Sequence, residues 1–301
     1  MSRRELLAAG ITDPALQDSF EKCRILNSAH GKTYYLATLL LAPEKRPFVH
    51  ALYGFARYAD EIVDDLSSTL TGEQKAEWLT SWSDKFLEDF DSGTSEDEIC
   101  KATIYTAKKF NIPKAHFEAF IHSMKMDLTT TSYETFDDLY EYVYGSAAVI
   151  GLQMVPILEP SSEDAYKYAT DLGIAFQLAN FIRDVGEDLE RGRIYLPLSE
   201  LRQFGVTPQT LETGKVTDDL RNALRFQIAR VHDLEKSSRA GISLLSPASQ
   251  PCINAARILY CQIADEVEKI DFDVFTKRAK VSMFRKITVA GRAWLQAIKL
   301  R

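Results

Sequence analysis

The sequence predicts an all-α protein, and three observations predict it. Apolar residues recur at three- and four-residue spacing along nearly the whole chain, alternating strand-like runs are scarce, and no Asn-Gly or Asp-Gly pair marks a hairpin. Breakers at Pro43 and Pro47, Thr71-Gly72, Ser92-Gly93, Asn111-Ile112-Pro113, Glu159-Pro160, Arg191-Gly192, Thr213-Gly214 and Ser246-Pro247 cut the chain into helix-sized pieces. No Gly/Ser/Pro-rich linker and no tandem repeat intervenes, so residues 1–301 read as a single domain.

The opening "MSRRELLAAGITDP" is basic but has no apolar core long enough for a signal peptide. The next informative piece, "EKRPFVHALYGFARYADEIVDDL" from Glu44 to Leu66, predicts a two-faced helix. Phe48, Val49, Leu52, Phe55, Ala59, Ile62, Val63 and Leu66 form one broad apolar arc, while Tyr53, Arg57, Asp60 and Asp64 share another. Alone, that second arc is equally well a solvated face on which Arg57 supports a neighbouring carboxylate.

Further along, "DLYEYVYGSAAVIG" sets Tyr140, Tyr142 and Tyr144 before a run of small residues. It suits either the wall of a cavity or a close helix–helix contact through Gly145, Ala148 and Gly151. The apolar run "GSAAVIGLQMVPIL" is too short for a membrane span and contains Gln153 and Pro156.

A second helix is expected from Ala165 to Leu189. On it Gly173, Gln177, Asn180, Asp184 and Asp188 fall within one narrow arc, surrounded in the first half by Leu172, Ile174, Ala175, Phe176, Leu178, Ala179, Phe181 and Ile182. A helix apolar nearly all round is buried, so Gln177 and Asn180 are expected to face a cavity, with the aspartates continuing that line toward its mouth. Carboxylates at i and i+4 repel, so a cation must accompany them. Arg183, Arg191 and Arg193 are available within the segment, and a hard divalent ion such as magnesium, which takes one or two carboxylates and phosphate oxygens, fits equally. One Asp-x-x-x-Asp pair is weak evidence; two on separate helices, the second with Asn180 one turn upstream, are stronger. The reaction they suit is ionisation of an allylic diphosphate, with cations stabilising the leaving group and an apolar aromatic cavity shielding the carbocation.

Composition limits the alternatives. The chain has 301 residues, 46% hydrophobic and 26% charged, and 36 basic against 43 acidic side chains give a net charge of −7, which argues against a nucleic-acid partner. Four scattered cysteines without a CxxC point to a reducing cytoplasm rather than a zinc site or disulfide framework. The histidines show no zinc spacing, and "DEIVDD" lacks the ligand pattern of a calcium loop. The stretch from Asp84 to Glu98 is acid-rich, and the end from Lys277 to Arg301 is basic; solvated surfaces explain most of these charges.

Five blocks resemble the squalene and phytoene synthases: "HGKTYYLATLLLAPEKR" (30–46), "LYGFARYADEIVDD" (52–65), "YVYGSAAVIG" (142–151), "FQLANFIRDVGEDLERGRIYLP" (176–197) and "ARILYCQIADEVEKIDFDVFTKRAKVSMF" (256–284). The resemblance implies an isoprenoid synthase fold, helices around a central apolar cavity, and magnesium, for which manganese is a substitute. By position, Asp60 and Asp64 resemble the first metal-binding pair, and Asn180, Asp184 and Asp188 the second. Lys32, Arg57, Arg183, Tyr260 and Arg278 are similar to residues that hold diphosphate, Tyr53, Tyr144 and Gln177 to residues lining the reacting centre, and His30 and Thr33 share the first substrate-binding block. That block departs from the common His-Ser-Lys-Ser-Phe form, reading His30-Gly31-Lys32-Thr33-Tyr34.

Within the family, "YGFARYADEIVDD" and "RDVGEDLERGRIYLP" are most similar to bacterial phytoene-forming members. This implies head-to-head joining of two geranylgeranyl diphosphates through prephytoene diphosphate, without NADPH. Farnesyl diphosphate giving squalene or dehydrosqualene, and a terpene cyclase on the same fold, are the enzymatic alternatives; a non-catalytic helical interaction protein is the alternative of another class. A greasy product implies peripheral contact with the inner face of a membrane, at a surface the sequence does not locate.

Overall fold

The structure is a computed structural model that describes residues 3–64 and 70–300, except for the side chains at 32–33 and 61–64. Among the described residues it is helical throughout, with one isolated bridge between Ser132 and Ile194. Local signals set most helix ends. After the short α1 (Arg3–Ala8), α2 (Pro14–His30) begins with a proline in its first turn and Asp13 accepting from the Leu16 N–H at 2.8 Å. Gly31 separates α2 from α3 (Lys32–Thr38), and α4 runs over Arg46–Asp64 with Pro47 tolerated in its first turn.

A reciprocal Thr71–Gln74 capping box opens α5 (Gly72–Ser92), which stops at Gly93 with φ 87°. Asp97 caps α6 (Glu98–Lys109), and α7 (Lys114–Met126) follows the turn at Asn111, whose φ is 52°. A second box, Thr135 with Asp138, opens α8 (Phe136–Val143). The chain then widens into a π-turn at Tyr144–Ala148 before α9 (Val149–Ile157). The second half contains α10 (Asp164–Arg183), α11 (Val185–Glu190), α12 (Leu198–Gln203), α13 (Pro208–Glu212), α14 (Asp218–Ile242), α15 (Gln250–Lys269) and α16 (Met283–Leu300).

Two hydrophobic clusters hold these helices. The first gathers α2 and α4–α7 around Phe20, Phe48, Phe55, Phe86 and Phe117, with Phe55 meeting Phe86 at 4.5 Å and Phe117 edge-on at 5.4 Å. Each such ring contributes about 1.5–3 kcal/mol by leaving water. The second joins α8 and α10–α15. The π-turn and α9 contribute to both, Val149 and Leu152 to the first and Ala148 to the second. Here the backbones nearly touch: a Cβ on Gly151 would stand 2.6 Å from the Ala169 carbonyl oxygen, and one on Gly173 would stand 2.7 Å from that of Ala147. The close-contact reading of this small-residue run is therefore correct at Gly151.

Where the clusters meet, α3, α4, the π-turn, α9, α10, α14 and α15 enclose an apolar cavity of about 330 Å³. Its α10 wall runs from Ala165 to Phe176, about 17 Å at 1.5 Å per residue. Beyond the Ala165 end, the buried Lys45 ammonium donates to Glu159 at 2.8 Å and to the Ser246 and Ser249 hydroxyls at 3.0 Å. The four cysteines are buried and none is in a disulfide. Among the described residues no helix is long and apolar enough to cross a membrane.

The expected helix 165–189 is corrected by the structure: it breaks at Asp184, whose φ and ψ are −99° and 12°. Arg183 donates through Nε and Nη2 to both carboxylate oxygens of Asp184, at 2.7 and 2.5 Å. Adjacent residues on a helix do not face each other, so this bidentate pair requires a local departure from helical geometry. The ladder resumes at once, with the Asp188 N–H donating to the Asp184 carbonyl at 2.8 Å.

Candidate active site

The open end of the cavity is ringed by aromatic groups. Tyr34 on α3 stacks on Tyr53 of α4 at 5.2 Å, and Phe176 of α10 stacks on Tyr260 of α15 at 4.7 Å. Burial raises the pKa of both Tyr34 and Tyr260, keeping them neutral, and the Arg183 charge offsets part of that rise at Tyr260. Tyr34 also donates to the Met154 sulfur at 3.4 Å. Gly31 accounts for the departure in the first block, since a Cβ there would lie 2.6 Å from the Tyr53 ring and 2.8 Å from Asn27 Oδ1.

The polar line begins immediately after Phe176. Gln177 and Asn180 are half-buried but lie outside the apolar lining, which ends with Gly173 and Phe176, so they sit between the cavity and the charged rim. At that rim Asp184 is paired with Arg183 and with Arg278, whose Nη2 stands 3.1 Å away. Arg278 Nη1 also meets Glu187 at 2.5 Å. Burial disfavours the Arg183 charge, but its hydrogen bond to Asp184 together with the charges of Asp184 and Glu187 more than offsets this and raises its pKa. Asp188, one turn on, is pushed up to about 7, chiefly by burial and then by the Asp184 charge, while Arg191 and Arg193 pull the other way. On α4, Arg57 pairs with Asp60 at 2.7 Å.

His30 is the exposed last residue of α2. Lys32, Thr33 and Asp64 lie outside the described side chains. The rings of the tyrosine run stand outside the cavity lining. Tyr144 is half-buried and packs near Tyr140 at 6.2 Å, Tyr140 is 39% exposed, and Tyr142 is buried, so none of the three lines the cavity. They precede the wall, which Ser146 and Ala147 of the π-turn open; the rings facing the cavity come from Tyr34, Tyr53, Tyr168, Phe176 and Tyr260.

Tyr142 belongs to a buttress that sequence reasoning missed. Buried Asp127 accepts from Tyr142 Oη at 2.7 Å and Tyr195 Oη at 2.9 Å, and its carbonyl accepts from Arg193 Nη2 at 2.9 Å. Tyr195 stacks on Phe181 at 4.2 Å, so this network braces the α10–α11 junction from behind. Its available signal was the aromatic in "RGRIYLP"; Asp127 itself stands in no recognisable pattern.

The residues suit a hard divalent ion. Asp60, Asn180, Asp184 and Asp188 offer oxygen donors without thiol or imidazole, and the Asp188 carboxyl, raised chiefly by burial and then by the Asp184 charge, would be returned to its ionised form by a cation beside it. Among the described residues no three acidic, histidine or cysteine side chains converge on one point, and arginines accompany Asp60 and Asp184.

The family model for squalene/phytoene synthases matches residues 27–285. A chloroplastic phytoene synthase of Daucus carota is 37% identical over 290 residues, covering 94% of this chain and 72% of the relative. Phytoene synthase 1 of Arabidopsis thaliana is also 37% identical, over 289 residues, with 94% and 68% covered. Among solved structures, a dehydrosqualene synthase in complex with a ligand gives a TM-score of 0.84 at 26% identity over 94% of this chain and 98% of that one. Squalene synthase HpnC from Alicyclobacillus acidocaldarius gives 0.79 at 24% identity, with 88% and 98% covered, and supports the fold alone. The chain belongs to the squalene/phytoene synthase family of prenyltransferases, which act on prenyl diphosphates.

Proposed function

We propose that this chain is a phytoene synthase of carotenoid biosynthesis, joining two geranylgeranyl diphosphates head to head. The observation that carries the reading is the junction of an apolar, aromatic-mouthed cavity of about 330 Å³ with a rim of arginines and aspartates. The 37% identity to phytoene synthases supports geranylgeranyl over farnesyl diphosphate.

The prenyl chain lies in the cavity, where Ala169, Gly173 and Ala256 leave the bore open and exclude water. Arg57, Arg183 and Arg278, with Lys32 by resemblance, meet the diphosphate and stabilise the electron pair it takes when the carbon–oxygen bond breaks. Asp60, Asp64, Asn180, Asp184 and Asp188 would hold magnesium, or manganese in its place, which when bound neutralises the leaving diphosphate. Substrate binding releases Arg183 and Arg278 from Asp184 toward phosphate oxygens. The faces of Tyr53, Phe176 and Tyr260 stabilise the allylic cation. His30 and Thr33 border the diphosphate end, and Tyr144 and Gln177 flank the reacting centre. Prephytoene diphosphate then ionises in turn, and proton loss to departing diphosphate gives phytoene; no hydride, hence no NADPH, enters the balance.

The test is mass analysis of products from purified protein given magnesium and geranylgeranyl or farnesyl diphosphate, with and without NADPH. A C40 hydrocarbon formed without NADPH is expected. A C30 product alone overturns the substrate, and no turnover of either by folded protein overturns the enzymatic reading.

A further inference from the structure

Helix α16 has three distinct faces. Val289, Ala293 and Ala297 are buried beneath it, and Arg285 Nε donates to Gln262 of α15 at 3.0 Å. On the outward side Met283, Phe284, Ile287, Trp294, Leu295 and Ile298 fall within an arc of about 120° at 3.6 residues per turn. They are between 48% and 77% exposed. Arg285, Arg292 and Lys299 form the stripe beside that arc. Scattered single apolar residues need no explanation, but six sharing one helix face do.

Charge identifies the occupant. From 274 to 300 the chain carries Lys277, Arg278, Lys280, Arg285, Lys286, Arg292 and Lys299 and no acidic residue, within a protein of net charge −7. We propose that α16 docks this enzyme on an anionic lipid bilayer, its apolar face among the acyl chains and its cationic stripe at the headgroups. Trp294, which lies within the arc, suits the interfacial layer. A symmetric contact with a second copy would set the same cations against each other, so the lipid surface fits better.

The docking has a geometric consequence. Helix α15 gives Ile253, Ala256 and Tyr260 to the cavity and holds α16 through Gln262, while Arg278, five residues before Met283, is tied to Glu187 and Asp184. A docked α16 therefore keeps the charged rim close to the membrane surface. The inference rests on α16 and not on the reaction proposed above.

The experiment is co-sedimentation of the full chain, without substrate, with vesicles of phosphatidylcholine alone or mixed with phosphatidylglycerol, with Trp fluorescence and solution mass recorded in parallel. Binding to the anionic vesicles is expected, with a blue shift that Trp294→Phe removes. Arg292→Gln with Lys299→Gln should weaken binding about 25-fold, from about 5-fold per charge. Phe284→Ser with Leu295→Ser should abolish it while turnover of detergent-dispersed substrate is retained. Wild-type protein left in the supernatant, or variants that sediment like wild type, overturn the proposal. So does a dimer that Phe284→Ser with Leu295→Ser dissociates, since the face is then a contact between copies.

Discussion

On α4, Asp60 has a side chain 40% exposed and is accompanied by Arg57 from its own helix, whereas at the α10–α11 junction Asp184 is 17% exposed and takes Arg183 beside it and Arg278 from a distant segment. The difference follows from depth. Near solvent, water screens most of a carboxylate's charge, and the arginine described beside Asp60 lies at i−3 on the same helix. At the junction screening is weaker, so the chain breaks its helix to let adjacent residues pair and recruits a further cation. Even so Asp188 is left with a carboxyl pushed up to about 7. The junction is thus the more electrostatically loaded half of the rim, and the Asp127 network behind it holds the backbone that carries that load.

The largest effects should come from the aspartates. Asp184→Asn should lower product formation at least ~100-fold with helical content unchanged, and Asp60→Asn likewise. Turnover within tenfold of wild type in Asp184→Asn would break the comparison at its more loaded side. Next comes Arg278→Gln, which removes partners of both Asp184 and Glu187. A loss of about 10–100-fold in kcat/KM is expected, and it should exceed any change in melting temperature that Arg278, 43% exposed, can cause. An unchanged kcat/KM would reduce Arg278 to a surface pair.

The smallest effect is on stability. The folded pKa of Asp188 lies above its ordinary 3.8, at about 7, so folding favours the protonated form. Its favourable contribution is complete below about pH 4 and is lost as pH rises through about 7. In chelator-treated protein Asp188→Asn should therefore abolish part of the loss of stability between those values. The variant should be more stable than its parent at pH 8 by on the order of 1 kcal/mol. Denaturant titrations at several pH values measure this, and parallel stability curves for the two proteins would contradict it.

Legibility in the sequence followed the range of the interactions. Several helix boundaries were readable because their causes are local: Thr71-Gly72 and Ser92-Gly93 fall at the start and the end of α5. The Arg57–Asp60 pair and the polar arc of α10 were readable for the same reason, since periodicity alone defines them. The break at Asp184 was hidden because "NFIRDVGEDLE" contains no Gly or Pro at that point, and a bidentate pair between neighbours leaves no compositional mark. The pairings of Arg278 with Glu187 and of Asp127 with Tyr142 and Tyr195 depend on the tertiary fold. The tyrosine run was legible only as two alternatives, because whether its rings reach the cavity depends on the π-turn that begins at Tyr144; the lining rings come from α3, α4, α10 and α15.

The most direct test of the rim is calorimetric binding of a non-ionisable thio-diphosphate analogue of geranylgeranyl diphosphate, with and without magnesium, to wild type and Asp184→Asn. Magnesium-dependent binding by wild type, weakened at least tenfold (about 1.4 kcal/mol) in the variant, is the predicted result. Equal affinity with and without the metal, unchanged in Asp184→Asn, would contradict the claim that these two acidic segments hold an ion against the diphosphate.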